Sequence, residues 1–339
     1  MLPSKTVFVI GAGASSEVGL PVGARLKEII ADKLDLRFKH HQEPIGNGDL
    51  AILEVLRRTF QNQINPYIEA CWRIRDGLAL SSSIDDYIDA HQHDKLVELC
   101  GKIAIARSIL EAERDSHLYF KKTHIDDSIN FQAVGNTWYV GFYQLISQGV
   151  TKKHLDLLFS NVTLVIFNYD RCIEHFLAHA IAQNYHTSIH EARELVKQLV
   201  IYRPYGSVGA YFGAAADVVE FGNTTQNIKL DKIIATLRTY TEQIEDSKSL
   251  NAIREAIFEA SVLVFLGNAF HPTNMKLLTV QKNDQVHKRF YFTRKGISDN
   301  DLNVVRATLS AISPGLTPTF HQANECRDLF SDYRMSLRT

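Results

Sequence analysis

Five short runs of β-branched and aromatic residues constrain this chain more than any other feature: residues 7–10, 162–167, 199–202, 262–266 and 290–292. Each is bounded by turn residues, and none alternates apolar with polar as a strand with one wet face does. Strands that are apolar on both sides need helices over both sides, which is the condition of a parallel sheet. The chain is therefore expected to be an α/β protein with a Rossmann-like, doubly wound parallel sheet. Its 45% apolar content is ample for such a core and excludes a disordered or disulfide-stapled chain.

Roughly 150 residues separate the first run from the second, far more than one crossover helix needs. Within them, apolar residues recur at three- and four-residue steps over 49–74, 84–113 and 131–148, the pattern of amphipathic helices. Residues 25–153 thus read as a helical layer or subdomain inserted after the first βα unit. Residues 1–24 and 154–339 are expected to form the Rossmann-like core. Later helices are expected over 171–183, 189–199, 230–245 and 250–260. No repeat of fixed period and no low-complexity stretch interrupts this scheme.

Charge and cysteine usage narrow the function classes. Lys plus Arg number 37 against 38 Asp plus Glu, so there is no cationic excess and direct nucleic-acid binding is not expected. Four isolated cysteines, Cys71, Cys100, Cys172 and Cys326, form no C-x-x-C pair, and no bound metal is expected. No run approaches the ~20 apolar residues of a membrane span, and the first residues lack the apolar core of a secretory signal. A reducing cytoplasm is the expected compartment.

The chemistry is expected where strands end. VFVIGAGASSEVGLP runs a strand into Gly11, Ala12, Gly13, Ala14 and Ser15, where glycines let backbone N–H groups approach a pyrophosphate. The spacing is G-x-G-x-x-Ser16, without the third glycine, and a tight strand-to-helix turn explains the same residues. LVIFNYDRCIEHF ends a strand in Asn168, Tyr169 and Asp170. Asp170 also suits the N-cap of the next helix, whereas Asn168 has no such local duty. LVIYRPYGSVG brings Tyr205, Gly206, Ser207 and Gly209, and SVLVFLGNAFHPTNMKLL brings Gly267, Asn268, His271 and Asn274. In open α/β sheets ligands lie beyond the carboxyl ends of the strands, so four polar strand ends point to a nucleotide crevice.

Those residues also carry a family resemblance. GAGASSEVGLP resembles the glycine-rich opening of sirtuin-like domains, and FNYDRCIE resembles the T-N-Y-D-x-x-x-E segment of their bacterial branch. YGSVG and LGNAFHPTN fall, in order, where that branch has an H-G-S turn and an L-G-x-S-x-x-D-x-N strand end. The segment SIDDYI at 83–88 is similar to its S-I-D-x-F-[LI] segment, which singles out Asp85. The resemblance implies an NAD+ hydrolase of antiphage defence that splits NAD+ into nicotinamide and ADP-ribose. It implies NAD+ as substrate and no metal. It also implies a homo-oligomer, or a complex with a motor-type ATPase or another defence protein.

By that resemblance Asn168 orients the nicotinamide ribose or the attacking water, and Asp170 supports it. The 11–15 loop cradles the pyrophosphate, and Ser207, Gly267 and Asn268 line the ribose and adenine side. Tyr205 stands where the branch has its catalytic histidine, and a phenol of reference pKa about 10 is a poor base at neutral pH. The alternative is therefore a catalytically silent NAD-binding or scaffold subunit. His271 reads either as a contact to the adenosine, or a stand-in histidine, or as a turn residue before Pro272. His175/His179 and His186/His190 have the i,i+4 spacing that can hold a metal but lack a third ligand, and His40, His41, His91 and His93 read as exposed polar residues. Deacetylation is disfavoured because no four-cysteine zinc module is present. A G-x-S-x-G hydrolase elbow is missing, and so is the acidic residue that a dehydrogenase places after its second strand.

Overall fold

The computed structural model describes residues 2–39, 43–121, 123–124, 127–213, 218–224, 233–240, 242, 247–281 and 286–339. The chain opens with β1 (Thr6–Ile10), a single turn α1 (Ala12–Ser15) and α2 (Gly23–Lys33). An antiparallel pair, β2 (Arg37–Lys39) and β3 (Glu43–Ile45), leads to α3 (Leu50–Phe60), α4 (Asn65–Gly77) and α5 (Ile84–Ala90). Next come α6 (Lys95–Asp115) and α7 (Trp138–Ser147), then β4 (Val162–Ile166), α8 (Cys172–Tyr185), α9 (Ile189–Val196) and β5 (Val200–Tyr202). The remainder is α10 (Ser247–Glu259), β6 (Val262–Leu266), α11 (Pro272–Leu278), β7 (Arg289–Thr293), α12 (Leu302–Ile312), β8 (Thr319–Ala323) and α13 (Cys326–Asp332).

Six strands form one wholly parallel sheet in the order β5-β4-β1-β6-β7-β8. Numbered along the chain within that sheet the order is 3-2-1-4-5-6, the doubly wound arrangement whose direction reverses at β1. Side chains alternate between two cores. Val7, Val9, Leu263 and Phe265 face one, and Phe8, Ile10, Val264 and Leu266 face the other. Both faces are dry, which is why the strands show no polar alternation in sequence.

The inserted helices build on those same two faces. Ile30 of α2, Leu53 of α3, Ile74 of α4 and Ile103 of α6 join the core under Val7 and Val9. Trp138 and Phe142 of α7 join the one under Phe8 and Ile10. The insertion therefore shares its packing with the sheet.

Some expectations need correction. The helix expected over 84–113 is two helices, because a turn at 91–94 intervenes and Asp94 restarts the chain by accepting the Leu96 and Val97 N–H groups at 3.0 and 3.2 Å. Val97, Ala104, Ala106 and Leu110 of α6 are buried within the chain. The 49–74 stretch likewise breaks before Pro66, and 131–148 contracts to α7. The strand β8 and the β2–β3 pair were not expected. The helix expected over 230–245 falls largely outside the described residues, as do His40 and His41.

One carboxylate ties the opening turn to two distant helices. Glu17 accepts the Trp138 N–H at 2.7 Å and the Arg327 N–H at 2.8 Å, satisfying first-turn amides of α7 and α13 together. Burial raises its carboxyl above the usual value, and the two N–H groups oppose that rise. Glu17→Ala leaves both amides without their acceptor and is expected to cost about 2 kcal/mol, one lost cap each. Urea unfolding monitored by circular dichroism measures it.

Candidate functional site

The register puts three strand ends level, because Ile10 of β1 pairs with both Ile166 of β4 and Leu266 of β6. The turns that follow lie side by side at the switch point of the sheet. The turns after β1 and β6 meet backbone to backbone. Gly11 N–H donates to Leu266 O at 2.9 Å and Gly13 N–H to Gly267 O at 3.0 Å. A Cβ on Gly11 would lie 2.7 Å from Gly267 O, and one on Gly267, whose φ is +60°, would lie 2.0 Å from Ala14 N. Ala14 N–H donates to Gly11 O at 3.0 Å, so three of the loop amides are engaged within the protein. Ala12 is exposed at the tip, and Ala14 and Ser15 are buried.

The turn after β4 closes onto this pair through side chains. Asn168 Nδ2 donates to Gly11 O at 3.1 Å and to Ser15 Oγ at 2.9 Å. Ser15 Oγ donates in turn to Asp170 Oδ2 at 2.8 Å, and Asp170 Oδ1 accepts the Cys172 N–H at 3.1 Å. Because a carbonyl only accepts, the Asn168 nitrogen must be the atom facing Gly11. Its Oδ1 is thereby turned away from the loop. Asp170 thus both caps the first turn of α8 and holds Ser15.

Two ion pairs fix this turn from beneath, and neither was anticipated. Arg203 forks Glu174 at 2.7 and 2.8 Å and donates Nη1–H to Asn168 O at 2.8 Å. Arg171, fully buried, pairs with Glu113 of α6 at 2.5 Å, and its backbone N–H reaches the same carboxylate at 2.9 Å. Arg203 directly follows β5 in YRPYGS, a location that could have flagged it. No local pattern joins Arg171 to Glu113.

A second layer lies over the strand ends. Helix α5 carries two adjacent carboxylates: Asp85 accepts the Tyr169 hydroxyl, and Asp86 Oδ2 lies 3.3 Å from His271 Nε2. Tyr205 donates its hydroxyl to Asn274 Oδ1 at 2.6 Å, which joins the turn after β5 to α11. Burial raises the Asp85 carboxyl, against the pull of the Tyr169 hydrogen bond. Burial, with the Asp85 charge second, pushes the Tyr205 hydroxyl far above its ordinary value. Tyr205 is accordingly a protonated donor at neutral pH.

The other predicted residues are occupied locally. Asn268 Nδ2 ties β1 to β6 by donating to Val9 O at 2.8 Å and Leu266 O at 3.2 Å. Ser207 donates to Gly209 O at 3.1 Å within its own turn. His175 has Tyr211 Oη at 3.0 Å on Nδ1 and Leu118 O at 3.2 Å on Nε2, and burial drives its pKa well down, so it is a neutral core residue. Among the described residues no group of three His, Cys, Asp or Glu is arranged to hold a metal, and no helix is long and apolar enough to cross a membrane. No family model matches the chain, and no curated protein matches it.

The glycine contact yields a direct comparison. Gly267→Ala combines a left-handed backbone with a clash against main chain and is expected to cost about 3 kcal/mol or more. Gly149, at φ +79° with nothing within 4 Å, carries the backbone penalty alone, so Gly149→Ala is expected to cost about 1 kcal/mol. Thermal unfolding of the two variants reads the difference.

Proposed function

We propose that the chain binds NAD+ across the carboxyl rim of β4, β1 and β6 and hydrolyses it to nicotinamide and ADP-ribose. The observation that carries this reading is the Asn168–Ser15–Asp170 chain of hydrogen bonds at the switch point, which fixes the Asn168 amide by its nitrogen. The sequence resemblance to sirtuin-like domains, carried in part by the same residues, also supports it.

The chemistry asks for positioning more than for force. Breaking the C1′–N1 bond sends the bonding pair to the pyridinium nitrogen, so nicotinamide leaves neutral and the ribose carbon becomes oxocarbenium-like. Water then adds to C1′ and loses one proton. Asn168 Oδ1 accepts a hydrogen bond from a ribose hydroxyl or from that water. Asp170 acts through Ser15 by keeping the amide from rotating, and Arg203 holds the Asn168 main chain from below.

A pyrophosphate beside the first loop meets its exposed Ala12 edge, since the Gly11, Gly13 and Ala14 amides are engaged. Tyr205, a donor to Asn274, contributes order to the rim and takes no proton. That property also favours the second reading, a subunit that binds NAD+ without turnover. Under either reading the homo-oligomer and the motor-type ATPase or other defence partner are proposals that follow from the resemblance.

Incubating the purified chain with NAD+ and separating products by chromatography tests the reading. Nicotinamide and ADP-ribose are expected in equal amounts. Asn168→Ala is expected to lower kcat at least ~100-fold, the range seen when one transition-state hydrogen bond is removed. Product that persists in Asn168→Ala contradicts the assigned site, and saturable binding without product favours the silent subunit. Tyr205→Phe is expected to change kcat by less than about tenfold, because a residue that only orders its neighbours does not carry the proton.

A further inference from the structure

We infer that the Tyr205–Asn274 hydrogen bond is a latch across the mouth of the crevice, closed in the free chain and parted when a dinucleotide enters. The inference rests on the binding site proposed above.

The strand order makes this bond a crossbar. Tyr205 follows β5 and Asn274 lies in α11 after β6, and β4 and β1 stand between those two strands. Three interstrand spacings of about 4.8 Å separate β5 from β6, yet the Tyr205 hydroxyl and Asn274 Oδ1 are 2.6 Å apart. The two segments therefore lean toward each other over the ends of β4 and β1, the strand ends across which the dinucleotide is proposed to lie.

The bar also covers the residues that the ligand would have to touch. The Tyr205 ring rests against both chain neighbours of Asn168, with centroids 5.9 Å from Phe167 and 6.4 Å from Tyr169. Asn168 itself keeps 7% exposure and Ser15 2%. A ribose that is to bond the Asn168 amide needs part of this cover to move.

Most of the cover is fixed. In the 205–209 turn, Val208 N–H donates to Tyr169 O at 3.0 Å, and Arg238 N–H donates to Tyr205 O at 3.0 Å. A Cβ on Gly206 would overlap Thr236 O, so the turn is already in backbone contact with that segment. Helix α5, which also reaches the rim, is anchored in the core by Ile84, Tyr87 and Ile88. The part that can give is the far end of the bar. Asn274 is half-buried, and among the described residues its side-chain amide has no hydrogen bond besides the one from Tyr205. Rotation of that amide parts the latch and leaves the main-chain bonds of the turn in place. Burial keeps the Tyr205 hydroxyl protonated, so the donor is present throughout the neutral range.

A latch lowers apparent affinity by the fraction of molecules in which it is open. One net hydrogen bond corresponds to a factor of about 2 to 12.

The test is binding of a non-hydrolysable carbocyclic NAD+ analogue to the full chain, with affinity from calorimetry and association rate from stopped-flow fluorescence. Tyr205→Phe keeps the ring and removes the donor, and Asn274→Ala removes the acceptor. Each is expected to bind the analogue about 2- to 12-fold more tightly than wild type, with the gain in the association rate. The double variant is expected to gain no more than either single one, because the same bond is lost. A bond that only ordered the rim would give the opposite sign, since its removal would weaken binding. Binding that appears in the variants and not in wild type also supports the latch. If Tyr205→Phe does not fold, Asn274→Ala decides by the same measure. Affinity and association rate unchanged or lowered in Tyr205→Phe overturn the latch and leave the binding site standing. No binding by wild type or by either variant overturns both.

Discussion

The constraint on which the strand-end turns depend is the meeting of two of them with no side chain between. Gly11 and Gly13 after β1 lie against Gly267 after β6 so tightly that a methyl group on any of the three would fall within 3 Å of main chain. Two N–H to carbonyl hydrogen bonds close the contact, and the Asn268 amide crosses it to bind Val9 O and Leu266 O. The contact sets how far apart the strand ends sit where the doubly wound sheet reverses direction. Asn168, Ser15 and Asp170 can then span the turns after β1 and β4 with side chains of fixed length.

From that base the rim is built by elements far apart in sequence. The insertion contributes α5, whose two carboxylates reach Tyr169 and His271, and α6, whose Glu113 receives Arg171. It belongs to the site as well as to the core. Buried charges appear here only in pairs or with full hydrogen bonding, as their desolvation requires. Glu113 and Arg171 are both fully enclosed, and removing one would strand the other. The turn carrying Asp170 is therefore held by a rigid support and is not a free loop.

Much of this was legible in the residues, and what was not has physical causes. Four of the five expected strands announce themselves because both of their faces are dry, and the half-exposed edge strand β5 through its apolar residues alone, whereas β8, TFHQA at the other sheet edge, is half-exposed and carries polar residues that blur the signal. The break between α5 and α6 coincides with HQHDK at 91–95, a run without an apolar residue in which Asp94 caps the restart, so the residues do mark it although the helical pattern resumes directly beyond. The strand-end residues could be nominated singly, since glycine, asparagine and aspartate after a β-branched run have local meaning. Their partnerships could not. Ser15 with Asp170, Arg203 with Asn168 and His271 with Asp86 join segments that only the folded sheet brings together. The glycines were expected to free amides for a phosphate. In the folded chain three of those amides are engaged, and Gly11 and Gly13 instead permit backbone contact.

We propose that a dinucleotide is received at this rim. A crystal structure of the chain with a non-hydrolysable carbocyclic NAD+ analogue tests it most directly. The predicted result is a ligand lying across the ends of β4, β1 and β6, with its pyrophosphate beside Ala12 and its nicotinamide-bearing ring within hydrogen-bond distance of Asn168 Oδ1. An analogue bound elsewhere, or a rim left empty at saturating concentration, contradicts it.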